Sequence, residues 1–193
     1  LLRDLGKNLA NFIEQNKEVV GPDSKLVFDL AKFEFAQVFA FDETERKRIT
    51  GSALESNKLH PVPIQLQPYV TLIESNWALD EFSIALKSGE KEESFTEASS
   101  RYHGSKPKSP LIRPVEEKIW LAVHRYDSRI FFKRLDKYAF YLLSLIKEGY
   151  TLNQAVSELI ENEPELEANL DEFAGKVKDW FTTWVKLGWI IES

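Results

Sequence analysis

Three features of the sequence predict an α+β fold that is mostly helical. Apolar residues recur at helical spacing in several stretches, separated by Gly, Pro and Asn/Asp/Ser turns. Ile119–Leu135 holds two short apolar runs joined by the polar Tyr126-Asp-Ser-Arg129, the pattern of a β-hairpin. The 193 residues are 43% hydrophobic and include 5 Trp and 13 Phe, enough to bury a core and to exclude global disorder.

From the start, Leu2, Leu5, Leu9, Phe12 and Ile13 give a helix over residues 1–15. Gly21-Pro22-Asp23-Ser24 is a turn. The next helix carries Leu26, Val27, Leu30, Phe33, Val38 and Phe39 as its apolar stripe, with Asp29, Lys32 and Gln37 outside it. Glu34 lies among Phe33 and Phe35, so it is expected to be a buried carboxylate in a structural ion pair. Residues 42–48 are a solvated charged patch, and 51–63 read as a linker ending in His60-Pro61-Val62-Pro63.

Order resumes at Ile64. Ile64, Leu66 and Pro68 alternate with Gln65 and Gln67 as a half-buried strand. Ser75 or Asn76 is expected to cap a helix carrying Trp77, Leu79, Phe82 and Leu86. Residues 88–110 are rich in Ser, Glu and Lys and read as a flexible loop. After the hairpin, Asp136 offers an N-cap oxygen to a helix whose apolar face is Tyr138, Leu142, Leu145 and Ile146, and Gly149 stops it. Thr151-Leu-Asn-Gln154 is a capping box. The helix it opens ends at Glu163-Pro164. Asn169 caps the last helix, with Leu170, Phe173, Val177, Trp180, Phe181 and Trp184 on its inner stripe. Gly188 ends that helix, and Trp189-Ile-Ile191 is expected to pair as a short strand with Trp120–Val123.

The order from residue 115 is thus hairpin, three helices and a short final strand, a winged-helix-like module over 115–193. Residues 1–60 read as the end of an N-terminal helical domain, and 61–193 as a C-terminal α+β domain. The chain opens at Leu1 with no initiator, which predicts a further N-terminal part before it; it also holds no methionine anywhere.

The formal charge of −6 argues against a nucleic-acid binder that ignores sequence, because such proteins need a basic surface to release counterions. No cysteine exists to form a disulfide, attack a substrate or hold a metal, which fits a cytoplasmic protein. No apolar run is long enough to span a bilayer, and no signal peptide is visible. The three histidines, His60, His103 and His124, lack the spacing of a zinc site. There is no Gly-rich phosphate loop and no Gly-x-Ser-x-Gly elbow. Adjacent carboxylates such as Asp80-Glu81 and Glu116-Glu117 do not converge on one site. The expectation is a protein that is not an enzyme and holds no cofactor or metal. Trp180, Phe181 and Trp184 cover more than one helical face, so one ring is expected at the surface beside the hairpin edge. Ile130, Phe132, Trp180 and Trp184 are therefore the candidate contacts for a partner; plain core packing is the competing account of the same rings.

Leu26-Val-Phe-Asp-Leu-Ala-Lys-Phe-Glu-Phe-Ala36, Leu66-Gln-Pro-Tyr-Val-Thr-Leu-Ile-Glu-Ser-Asn-Trp77 and Trp120-Leu-Ala-Val-His-Arg125 resemble the HvfC/BufC-like family, which carries a DNA-binding annotation on its N-terminal domain. The resemblance covers most of the chain and departs from the pattern at Phe35, where Trp is expected, and at Asn76, where a basic residue is usual. It implies a partner protein of an HvfB-type iron-dependent oxidase that modifies cysteines of a small ribosomal peptide. The chain would help to bind that precursor, whose leader would add as a strand to the hairpin edge and pack on the last helix. The alternative is DNA binding, with the helix Leu152–Ile160 in the major groove. That helix offers Asn153, Gln154 and Ser157 but no Arg or Lys, and a run of glutamates follows it.

Overall fold

The computed structural model describes residues 2–49, 64–89 and 113–192. The elements in order are α1 (Leu2–Gln15), α2 (Lys17–Val20), α3 (Ser24–Asp42), β1 (Ile64–Leu66), β2 (Thr71–Trp77), α4 (Leu79–Gly89), β3 (Glu116–Tyr126) and β4 (Arg129–Arg134). There follow α5 (Lys137–Lys147), α6 (Leu152–Asn162), a 3₁₀ turn (Pro164–Asn169), α7 (Leu170–Lys186) and β5 (Ile190–Glu192). The fold is α+β, as expected. The linker at 51–63 with His60, and the loop beyond Gly89 with His103, lie outside the described residues.

β3 is the central strand of an antiparallel sheet ordered β2-β3-β4. Ile119 and Leu121 through His124 are all buried. A strand buried on both faces needs a layer on each side. On one face Ile119, Leu121 and Val123 meet Leu26, Phe33, Ala36 and Ala40 of α3. On the other, Ala122 joins Leu142, Leu143 and Ile146 of α5, Leu159 of α6, and Phe173 and Trp184 of α7. The stretch 1–60 therefore contributes α3 directly to the cover of this sheet. α1 packs in turn on α3, with Ile13 buried while Leu9 and Phe12 stay exposed.

The local signals hold where they are local. Asp127 and Ser128 have φ of 48° and 58°, so the hairpin closes through a two-residue turn of the I′ class that suits the strand twist. Asp136 accepts from the Tyr138 amide, and Thr151 and Gln154 form the reciprocal capping box. Gly188 ends the last helix at φ 70°, where a Cβ would also collide with the Arg48 side chain at 2.6 Å.

Four expectations are corrected. The stretch 71–77 is strand β2, and Ser75 and Asn76 lie within it rather than capping a helix. The Ser75 hydroxyl does serve the local backbone, accepting from the Trp77 amide at 3.1 Å, but it does so at an irregularity in the ladder. The final strand β5 pairs with β1, Ile190 opposite Leu66, and not with Trp120–Val123. Both sides of β3 are already taken by β2 and β4, which leaves it no place there. Glu34 is exposed. The buried carboxylate of α3 is Asp29, 6% exposed, which accepts from the Ser75 hydroxyl at 3.0 Å and from the Asn76 amide at 3.2 Å. Asn169 precedes α7 without a side-chain cap bond.

Among the described residues no helix is long and apolar enough to cross a membrane.

Asp29→Ala should lower the unfolding free energy by about 2 kcal/mol, because it strands a buried hydroxyl and an amide. A urea midpoint that does not move, at constant slope, would contradict this role. His124 supplies a pH signature. It is 3% exposed, between the rings of Phe131 and Trp189, and burial pushes its pKa down from 6.5 to about 4. Below pH 6.5 the unfolded chain binds the proton and the folded chain does not. Stability should therefore fall by roughly 3 kcal/mol from pH 7 down to about 4 through this group, then level off. His124→Leu should flatten that part of the urea stability–pH curve; equal slopes in the two proteins would refute the assignment.

Candidate binding slot

The four residues singled out as partner contacts do not share a face. Ile130 and Phe132 of β4 are half-buried and pack toward α3, with the Phe132 ring 4.8 Å from that of Phe33. Trp180 and Trp184 belong to the cluster on the opposite side of the sheet. Trp184 is 1% exposed and is a core residue, so it has no surface to offer. Trp180 is half-buried, with its ring edge-on to Phe173 at 6.2 Å. The stripe on α7 is thus mainly core packing.

Charged groups elsewhere are engaged with one another. The Arg134 guanidinium joins Asp80 at 2.8 Å, Glu81 at 2.9 Å and Glu117 at 3.1 Å, which holds its pKa above the ordinary value. This tie fixes the start of α4 to the hairpin. A cleft of about 440 Å³ is lined by Phe41, Glu45, Arg48, Arg125, Asp127 and Ser128. Its cations are already used: Arg48 pairs with Glu45, and Arg125 donates to the carbonyls of Phe41 and Glu43. Among the described residues no group of three or more His, Asp or Glu converges as a metal site.

A second space, of about 410 Å³, differs in kind. Gly6, Lys7, Ala10 and Asn11 of α1 form one wall. Phe28, Lys32, Phe35, Ala36 and Phe39 of α3 form the floor, and Thr71, Leu72 and Ile73 of β2 with Lys147 form the far side. α3 can line the slot because it has two working faces: Leu26, Phe33 and Ala40 point into the sheet core, while Phe28, Lys32, Phe35 and Phe39 repeat at helical spacing beside them. From Phe28 to Phe39 that face runs for about 16 Å at 1.5 Å per residue. Gly6 allows α1 to lie close, since a Cβ there would stand 3.2 Å from the Phe35 ring.

The wall formed by β2 is a sheet edge. In an antiparallel ladder, residues alternate between bonding one neighbour and facing away. The tight turn makes Tyr126 and Arg129 a bonded pair, and the Leu135 amide bonds the Trp120 carbonyl, so even-numbered residues of β3 face β4. Odd-numbered residues of β3 then bond β2 at Thr71, Ile73 and Ser75. The backbone groups of Leu72, Glu74 and Asn76 are left pointing outward. The two ends of this edge are closed by side chains: Lys147 Nζ donates to the Val70 carbonyl at 3.1 Å, and Asp29 accepts from the Asn76 amide at 3.2 Å. Between them, Leu72 and Glu74 have no outward backbone partner among the described residues. The Lys147 side chain stays partly exposed, and the share of its water that burial removes pushes its pKa down.

The slot therefore combines an apolar floor, a strand edge that is open among the described residues, and three ammonium groups. Sequence reasoning missed it because Thr71–Ile73 were not read as a strand, and because the slot-facing residues of α3 lie beside its main stripe. The periodic row Phe28, Lys32, Phe35 and Phe39 was the available signal.

Compared with known proteins, the chain matches no family model and no curated protein.

Proposed function

We propose that this chain is a non-catalytic partner protein that binds an extended polypeptide by adding it as a strand to the edge of β2. The observation that carries this reading is the outward backbone of Leu72, on the rim of an apolar slot, and of Glu74 further along the same edge. Main-chain hydrogen bonds along such an edge supply affinity, and side-chain pockets beside it supply selectivity. Phe28, Phe35, Phe39 and Ala36 provide the apolar pocket. The resemblance to the HvfC/BufC-like family suggests the occupant, the cysteine-containing precursor peptide of an HvfB-type oxidase, with the oxidase as second partner. In this reading β3 to β5 is a winged-helix-like scaffold, and strand addition shifts from the Ile130–Phe132 side of the hairpin to β2. The DNA alternative gains nothing from the geometry: α6 presents no Arg or Lys and carries Glu158 and Glu161.

The test is calorimetric titration of the chain with a cysteine-containing precursor peptide of the kind the resemblance implies, alone and with an HvfB-type oxidase. Micromolar binding is expected. Ala10→Trp, which fills the slot from the α1 side, should weaken it at least tenfold without moving the unfolding midpoint. N-methylation of alternate peptide residues should do the same, because it removes the amides that a strand contributes. Absence of heat with both partners present would overturn the proposal, as would indifference to N-methylation.

A further inference from the structure

The slot carries the opposite charge to the chain that forms it. The chain has a formal charge of −6. The slot nevertheless draws Lys7, Lys32 and Lys147 to its lining and no carboxylate. Three other lysines are held by acidic partners: Lys118 by Glu74, Lys137 by Glu163 and Lys176 by Glu172, all at 2.6–2.7 Å. The slot lysines are not. Lys32 lies over the Phe28 ring at 5.2 Å, Lys147 rests on the Val70 carbonyl, and Lys7 has no ion-pair partner among the described residues. They also stand on different layers. Lys7 and Lys32 come from α1 and α3 on one face of the sheet, and Lys147 ends α5 on the other.

From this arrangement we infer that the slot selects acidic polypeptide: a strand whose carboxylates pair with Lys7 and Lys32 on one face and with Lys147 on the other, while its apolar side chains enter among Phe28, Phe35 and Phe39. The inference rests on the strand-binding reading and adds the chemistry of the bound segment. A strand laid beside β2 sends alternate side chains to the two faces, so cations on both faces meet successive acidic positions. Lys147 contributes most per contact. Its ammonium is held in place by the Val70 carbonyl at 3.1 Å at the end of the strand edge, so a carboxylate beside it meets a charge already positioned. A basic strand would set like charges against Lys7, Lys32 and Lys147, which costs affinity and so favours the acidic segment. Bare acyl carboxylates share the charge and the apolar body, but they do not use the open amide and carbonyl of Leu72.

Three synthetic octapeptides test this. They share the same apolar residues and carry Glu, Gln or Lys at the remaining positions; fluorescence anisotropy reads their affinity, with the precursor peptide as reference. The Glu peptide should bind at least tenfold more tightly than the Gln peptide, the Lys peptide weakest, and added salt should narrow the gap. The double variant Lys7→Glu, Lys32→Glu should bring the Lys peptide above the Glu peptide, with an unchanged unfolding midpoint showing that the fold persists. Equal binding of Glu and Gln peptides would overturn acidic selection and leave strand binding standing. Binding of the precursor alone, with all three octapeptides silent, would overturn it too, whereas silence of the precursor as well would remove the strand-binding reading itself. Displacement of the Glu peptide by laurate, with N-methylated peptides binding undiminished, would assign the slot to an acyl ligand. A slot closed by self-association, seen as a dimer that dissociates when peptide-free protein carries Ala10→Trp, would assign it to a second copy.

Discussion

Burial of β3 on both faces is the constraint from which the rest of the architecture follows. Ile119, Leu121 and Val123 require one apolar cover, and Ala122 with His124 requires another. α3 supplies the first and α5 to α7 the second. Once both faces and both flanks of β3 are taken, the only unpaired main chain the sheet can show is at its outer edges. The short β5 must then find another partner, and β1 provides it. The helical hairpin of α1 and α3 has a double duty in this arrangement. One face of α3 seals the sheet, and the neighbouring face, with α1 beside it, walls the slot along β2.

An open edge is a hazard as well as a site, because unpaired strand backbone invites association. Here the hazard is confined. Asp29 and Lys147 occupy the two ends of the β2 edge, and α1 stands across the gap. What remains between them is short, walled and charged. An edge protected at both ends and, among the described residues, left open in the middle has room for only a short segment, which limits indiscriminate pairing. The same side chains do structural work: Asp29 joins α3 to β2, and Lys147 joins the end of α5 to the turn before it.

How far the chain could be read without coordinates follows from the range of each interaction. Asp136, Thr151–Gln154, Gly149, Gly188 and the Asp127-Ser128 turn act within a few residues, and their signals were legible. β2 was not, because Ser75 and Asn76 are good helix caps by composition and only the Asp29 carboxylate, 46 residues away for Ser75, draws them into a strand. Asp29 itself sat off the apolar stripe of α3, and a single-stripe reading treats such a residue as solvated. It fails for a helix packed on two sides. Glu34 was misjudged for a different reason: aromatic neighbours in sequence point around the helix, not at one another. The partner of β5 and the inward turn of Lys147 depend on contacts far along the chain, for which no local pattern exists. The aromatic surplus on α7 was legible as apolar surface, but sequence could not say that Trp184 would be sealed beneath it.

The charge of the slot completes the argument about selectivity. Across the whole chain the acidic excess repels other acidic molecules weakly, and salt screens that field within about 8–10 Å. Inside the slot the sign is reversed, with Lys7, Lys32 and Lys147 set around the half-buried rings of Phe28, Phe35 and Phe39. In the proposed reading, a short-range attraction set within a long-range repulsion would penalise acidic molecules that merely approach and reward those that fit. Basic segments would experience the reverse, drawn to the outer surface and refused by the lysines. Discrimination would then come from geometry at the edge of β2 rather than from the net charge of the protein, and shape would have to match before the electrostatic term became favourable.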